Sequence, residues 1–166
     1  MSHWPTLTVL VFFPVAACLV MPLLRGDRAV RVFSLTAGVA ELLLALPLLS
    51  FDLSVAGYQF QEQAEWVPQW GLSYHLGMDG ISLLMVLLTV LLLPLCVLCS
   101  WTYISRRVTE FHVSLMLMSA ACIGVFVALD FVLFYIFWEA MLVPMFLLIA
   151  VWGGPERRYA SLKFFL

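Results

Sequence analysis

The chain has 166 residues, of which 64% are hydrophobic and 11% charged, with a formal net charge of −2. Its mean hydropathy is +1.08. Soluble domains carry about 45–50% apolar and about 25% charged residues, so this balance excludes a water-soluble globular domain and describes an integral membrane protein.

In chain order, the apolar runs predict an all-α fold, a polytopic transmembrane helix bundle with five complete spans and the start of a sixth. The first span covers about residues 6–24 and contains Pro14 and Pro22, which membrane helices tolerate. No Lys or Arg precedes it, and the run is too long for a signal peptide, so a retained first span is expected. After a short basic loop with Arg25, Arg28 and Arg31, the second span runs over about 32–51. A polar connection follows at 52–80, rich in Gln and Trp and long for a compact membrane protein. It suits an interfacial helix or a hairpin. Asp79 then caps a third span at about 81–103. From Phe111 to Trp152 the pattern is too long for one crossing, and Asp130 suits an N-cap within it. This divides the stretch into spans at about 111–129 and 131–152. A Gly153-Gly154-Pro155 turn leads to a sixth helix, 159–166, truncated after two turns.

Charge sets the expected orientation. Arg25, Arg28, Arg31, Arg106, Arg107, Arg157 and Arg158 fall in alternate loops, on one side of the five-span arrangement. The other side carries only Asp52, Glu62, Glu65, Asp79 and Asp130. The arginine side is therefore expected in the cytoplasm, with the N-terminus and the 52–80 loop outside. His3 and His75 lie on the outer side and His112 opens the fourth span near the cytoplasm, all three read as interfacial residues. Cys18, Cys96, Cys99 and Cys122 sit in apolar runs, and the Cys96–Cys99 pair has no second Cys or His cluster beside it. They read as small apolar residues, with no metal site expected. Phosphate-binding loops, dinucleotide fingerprints and nucleophile motifs are absent from the sequence. A basic aromatic patch that would suggest nucleic acid is absent too, and the bilayer is the expected partner.

Two acidic residues remain inside spans. Glu139 lies eight residues into the fifth span, about 12 Å from its start. A charge at the bilayer centre costs about 2.5–3.5 kcal/mol on insertion scales, so such a carboxyl is expected to face a protein interior and to handle protons. Pro144 removes a donor and frees the carbonyl of Ala140, predicting a helix kink beside the site. Glu41 has a similar depth in the second span and reads equally as a group on the same hydrated path or as a helix-to-helix hydrogen bond. Lys163, the only lysine, either snorkels to the interface or joins the path.

The runs YHLGMDGISLLMVLLT (74–89), FYIFWEAMLVPMFLLIAVWGG (134–154) and SLKFFL (161–166) resemble subunit M of bacterial NADH–quinone oxidoreductase, respiratory complex I. That subunit is equivalent to mitochondrial NADH dehydrogenase subunit 4. The resemblance covers about the first third of such an antiporter-like subunit and implies part of a proton-translocating membrane subunit, without a redox centre of its own. By resemblance, Glu139 is the ionisable glutamate of the fifth helix, which interacts with a lysine on a seventh helix beyond this sequence. Lys163 matches a lysine early in the sixth. NADH, FMN, iron–sulfur clusters and quinone are implied for the rest of the complex, with the antiporter-like subunits L and N as neighbours in a bacterial inner membrane. A subunit of an Mrp-type cation/proton antiporter, or an inert fragment with a structural role, are the competing readings.

The arginine distribution generates a topology prediction. Cysteines introduced at Gln61 and Gly154 are expected to react with a membrane-impermeant thiol reagent from opposite faces. Labelling of both from one face overturns the five-span arrangement.

Overall fold

The computed structural model describes residues 5–52, 54, 55 and 57–165, so His3 and Leu166 lie outside the described residues. Among the described residues, five helices are long and apolar enough to cross a membrane. They run over Thr6–Leu23, Asp27–Ser50, Gly80–Ser100, Val108–Val127 and Phe131–Trp152, and their α-helical parts are α1 (Thr6–Val20), α2 (Asp27–Leu44), α3 (Gly80–Ser100), α4 (Val108–Val127) and α5 (Phe131–Trp152). A shorter α6 follows (Arg157–Phe165). The polar connection holds a hairpin of two antiparallel strands, β1 (Gln59–Val67) and β2 (Leu72–Met78).

The helix ends depart from the expected spans where single residues intervene. Span two begins at Asp27 rather than Val32, which puts Arg28 and Arg31 on the helix and not in a loop. Gly26 makes this possible with φ 92°, a conformation that side-chain-bearing residues rarely adopt. Asp27 then places a carboxylate in the first turn, favourable against the helix dipole. Pro22 and Pro47 each cut an α-helix short and leave a 3₁₀ turn, Met21–Leu23 and Leu46–Ser50. The third span stops at Ser100, and Arg107 enters α4 with φ 52°, its Nε 3.2 Å from Glu110 Oε1.

The hairpin fastens one end of the bundle. A register shift between Gln59 and Glu62 forms a bulge in which Phe60 has φ 53°. Bulges re-aim side chains; here Phe60 packs on the core and Glu62 reaches α1. The Glu62 carboxylate accepts from the amides of Leu7 at 2.7 Å and Thr8 at 3.0 Å, and from the Thr8 hydroxyl at 2.5 Å. Helix α1 has no side-chain cap of its own, so a residue from the hairpin satisfies its first amides. The amide of Leu129 donates to the His75 carbonyl at 2.9 Å and ties the α4–α5 corner to β2.

Helix α4 is the axis of the packing, in contact with α1, α2, α3 and α5. The buried core forms two main apolar layers stacked along the bundle. The layer toward the hairpin contains Leu7, Leu10, Val11, Ala45, Val86, Val90, Ile123 and Val127. The layer toward the arginine loops contains Ala17, Cys18, Ala37, Leu93, Val97, Leu115 and Met116. Between them α1 presents Pro14, α2 Glu41 and α4 Ser119, while on α3 Pro94 follows Leu93 of the arginine-side layer. At the arginine-rich end a third small cluster, Val30, Ile104 and Val108, is closed by Leu24, Phe111 and Trp152.

Asp79 and Asp130 both cap helices. Asp79 accepts from the Ser82 amide at 2.7 Å, which holds its carboxyl below the usual range. Asp130 accepts from Val132 at 2.9 Å, Leu133 at 3.1 Å and Ser73 at 3.3 Å. These amides, that of Leu133 foremost, hold the Asp130 carboxyl below the usual carboxylate value. A carboxyl lowered on folding contributes stability that is present above its unfolded value, about 3.9, and is lost as pH falls through the folded value. Hydrogen-exchange protection at the α4–α5 corner, corrected for intrinsic rates, is therefore expected to hold near neutrality and to fall below about pH 4. Asp130→Asn keeps an acceptor without a titration, and its protection profile is expected to be flat there. A wild-type profile equally flat in acid overturns this account of the corner.

Candidate functional site

Helix α5 is apolar on every side, so its sequence does not announce which face packs. The structure resolves this through spacing: Leu133, Phe137, Met141, Pro144 and Leu148 recur at three and four residues and turn toward the bundle. Gly124 on α4 allows the close approach, since a methyl group there would fall on the ring of Phe137. Cys122 Sγ lies 3.3 Å from Met141 Sδ across the same seam.

Glu139 falls off this seam. It is exposed, on a face shared with Phe131, Tyr135, Trp138 and Val143. The sequence leads one to expect a carboxyl facing a protein interior; within this chain the α4-facing stripe passes it by. Tyr135, one turn earlier, is exposed on the same face. Pro144, expected beside the site, is buried against the bundle and so faces away from Glu139. Five residues of helix rotate it by about 140°.

Lys163 is exposed on α6, its Nζ 5.8 Å from the centroid of the Tyr159 ring. It lies six residues past the start of α6, roughly 9 Å along the axis, whereas Glu139 is about 20 Å above the end of α5. The two groups therefore sit at different levels.

Glu41 occupies the opposite environment. It is 0% exposed, and among the described residues neither carboxyl oxygen has a hydrogen-bond partner. Of the two readings of Glu41, a group on the same hydrated path as Glu139 or a helix-to-helix hydrogen bond, no such bond is present among the described residues, and the two carboxyls differ in setting, Glu41 buried and Glu139 exposed. His112, read from sequence as interfacial, is likewise 0% exposed. Its Nδ1 lies 2.8 Å from the Val108 carbonyl, and its Nε2 has no partner. Ser119 Oγ and Arg31 Nε complete the buried polar atoms without a partner among the described residues. Sequence reasoning passed over His112 and Ser119 as a pair. The available signal was their seven-residue spacing, two helical turns, on the face that also carries Leu115 and Ile123.

No group of three or more His, Cys, Asp or Glu able to hold a metal ion occurs among the described residues. Cys96 and Cys99 are exposed on α3. The arrangement thus offers isolated titratable groups in apolar surroundings, one outward and one enclosed, and such groups bind and release protons.

Comparison with known proteins places this geometry. Residues 128–166 match the transmembrane family described as NADH:quinone oxidoreductase/Mrp antiporter. NADH-quinone oxidoreductase subunit M of Rhodobacter capsulatus is 47% identical over 96% of this chain and 32% of its own length. F(420)H(2) dehydrogenase subunit M of Methanosarcina mazei is 39% identical over 98% of this chain and 33% of its own. The chain therefore spans about a third of the length of these curated relatives. Respiratory complex I from Thermus thermophilus with bound NADH matches with a TM-score of 0.78 at 26% identity, over 95% of this chain and 31% of that one. The Mrp complex from Dietzia sp. shares the fold, with a TM-score of 0.73 at 22% identity, over 95% of this chain and 17% of that one. By sequence and fold, this multi-pass membrane chain belongs to the subunit M family of NADH-quinone oxidoreductases.

Proposed function

We propose that the chain is part of a proton-translocating membrane subunit of an NADH–quinone oxidoreductase, with Glu139 as the titrating group of its path. The observation that carries this reading is the mid-span carboxylate on a face of α5 that the chain's other helices leave uncovered. In a chain spanning a third of its relatives' length, that face is where further helices of the subunit pack, enclosing Glu139. Its partner, by the family resemblance, is a lysine on a later helix. Lys163 contributes nearer the arginine-rich end, and Pro144 shapes α5 from the bundle side.

The mechanism is electrostatic. A charge change in a neighbouring antiporter-like subunit, L or N, moves the lysine partner, and the proton affinity of Glu139 follows the distance of that positive charge. Electron transfer, with its NADH, FMN, iron–sulfur clusters and quinone, is assigned to other subunits. Support comes from the relatives' names: one is an NADH-quinone and another an F(420)H(2) enzyme, so the named donor changes while this part persists. The membrane is a bacterial inner membrane, with the N-terminus and the 52–80 loop outside and the arginine-rich loops cytoplasmic. A second reading, a subunit of an Mrp-type cation/proton antiporter, is favoured by the shared fold and the shared family description. NADH dependence of the coupled activity separates the two.

Glu139→Gln keeps the volume and most hydrogen bonds but cannot ionise. In the complete, assembled complex it is expected to lose most proton pumping and to slow NADH–quinone turnover, with Glu139→Asp intermediate. Wild-type pumping in an assembled Glu139→Gln complex would return Glu139 to a packing role.

A further inference from the structure

We propose that Glu41, Ser119 and His112 form a second proton-holding row inside the five-helix unit, with Glu41 storing the proton and His112 exchanging it at the arginine-rich end. This rests on the proposed proton-translocating function but places a site where α2 meets α4, away from the uncovered face of α5.

The packing fixes the level of each group. Glu41 is one turn from Ala37 and one turn from Ala45. Ala37 packs in the layer with Leu115 and Met116, and Ala45 packs in the layer with Ile123. On α4, Ser119 lies about one turn from Leu115 on one side and Ile123 on the other. Glu41 and Ser119 therefore lie at the same level, the boundary between the two layers. They are 0% and 6% exposed, and neither side chain has a hydrogen-bond partner among the described residues. Leaving a buried polar group unpaired costs about 1–3 kcal/mol, more for a charged one. A glutamate kept only for packing would be matched by a donor; this one is matched by a second unpaired group.

Neighbouring backbone makes the boundary more polar than its composition suggests. Gly38, one turn before Glu41, brings α2 so close to α3 that a Cβ there would lie 3.3 Å from the Pro94 nitrogen. Pro94 in turn has no N–H to donate to the Val90 carbonyl, which loses its usual helical donor. A protonated Glu41 needs such an acceptor, and Ser119 both donates and accepts.

His112 supplies the exchange group. Donation from Nδ1 to the Val108 carbonyl at 2.8 Å leaves the Nε2 lone pair free inside the bundle. Seven residues separate His112 from Ser119, about 10 Å along α4 past Leu115 and Met116, so the exchange requires water to enter the bundle at that layer. The other ionisable groups around the row are few. On α2, Arg31 donates from Nη2 to the Ile104 carbonyl at 2.8 Å, and its positive charge reaches His112. On α1, the Cys18 thiol is turned to the Val113 carbonyl. On α3, Cys96 and Cys99 are exposed, and on α5, Glu139 faces outward. The step is a proton transfer only. A proton taken up at His112 Nε2 passes along that water to the Glu41 carboxylate, and the imidazole returns to neutral.

The test uses the complete complex in membranes, with Glu139→Gln alongside. Glu41→Gln is expected to assemble, to lose most proton pumping, and to lack a protonated-carboxyl stretch that wild type shows in infrared difference spectra. Full pumping in Glu41→Gln with loss in Glu139→Gln overturns this inference alone, whereas full pumping in both overturns the proposed function as well. Should Glu41→Gln fail to assemble, His112→Gln and Ser119→Ala carry the test. Each is expected to shift the pH profile of pumping, and wild-type profiles in both overturn the row.

Discussion

The carboxylate of Asp130 holds the corner on which the placement of α5 depends. Only Ala128, Leu129 and Asp130 separate α4 from α5, so the chain reverses at the edge of the apolar region with several amides to satisfy. Asp130 takes two of them from the first turn of α5 and a third from β2, while Leu129 donates to the same strand. These bonds fix where α5 begins, and with it the rotation of every later residue. With Phe137 seated on Gly124, Pro144 turns inward and Glu139 outward. The outward carboxylate is thus a consequence of a cap nine residues earlier.

The same chemical group has opposite surroundings on two helices. Glu139 belongs to a surface that further protein is proposed to cover. Glu41 already lies within finished packing, between two apolar layers that satisfy every neighbour except the polar ones. Prolines on α1, α3 and α5 accompany this level of the bundle. Each removes one backbone bond and leaves an acceptor in a region otherwise short of them. Polar capacity in the middle of the bundle therefore comes as much from interrupted backbone as from side chains.

Much of this was legible in the sequence, and what was not has a common cause. The helix break at Asp130 is readable because an Asp before an apolar run signals a cap, and residues 131–152 form α5 as expected. The start of α2 is missed by five residues, because Arg28 and Arg31 read as loop when the turn at Gly26 is unknown. The hairpin is readable only as one of two possibilities, beside an interfacial helix, because the bulged strand breaks the alternation that would single it out. Orientation of the intramembrane carboxylates is least legible. On a helix apolar all round, hydrophobicity carries no phase, and only small residues such as Gly38 and Gly124 betray which side is close to a neighbour.

The bond between Glu62 and α1 also carries an order of events. The amide of Leu7 waits for an acceptor 55 residues further along the chain. At synthesis rates of roughly 5–20 residues per second, that interval is about 3–11 s. During it the first helix occupies the bilayer with open amides at its leading end, free to tilt or slide. Only when the hairpin has formed on that side, with Tyr74 2.9 Å from the Thr8 hydroxyl, is the depth of α1 set. A segment made early is thus anchored only by one made later.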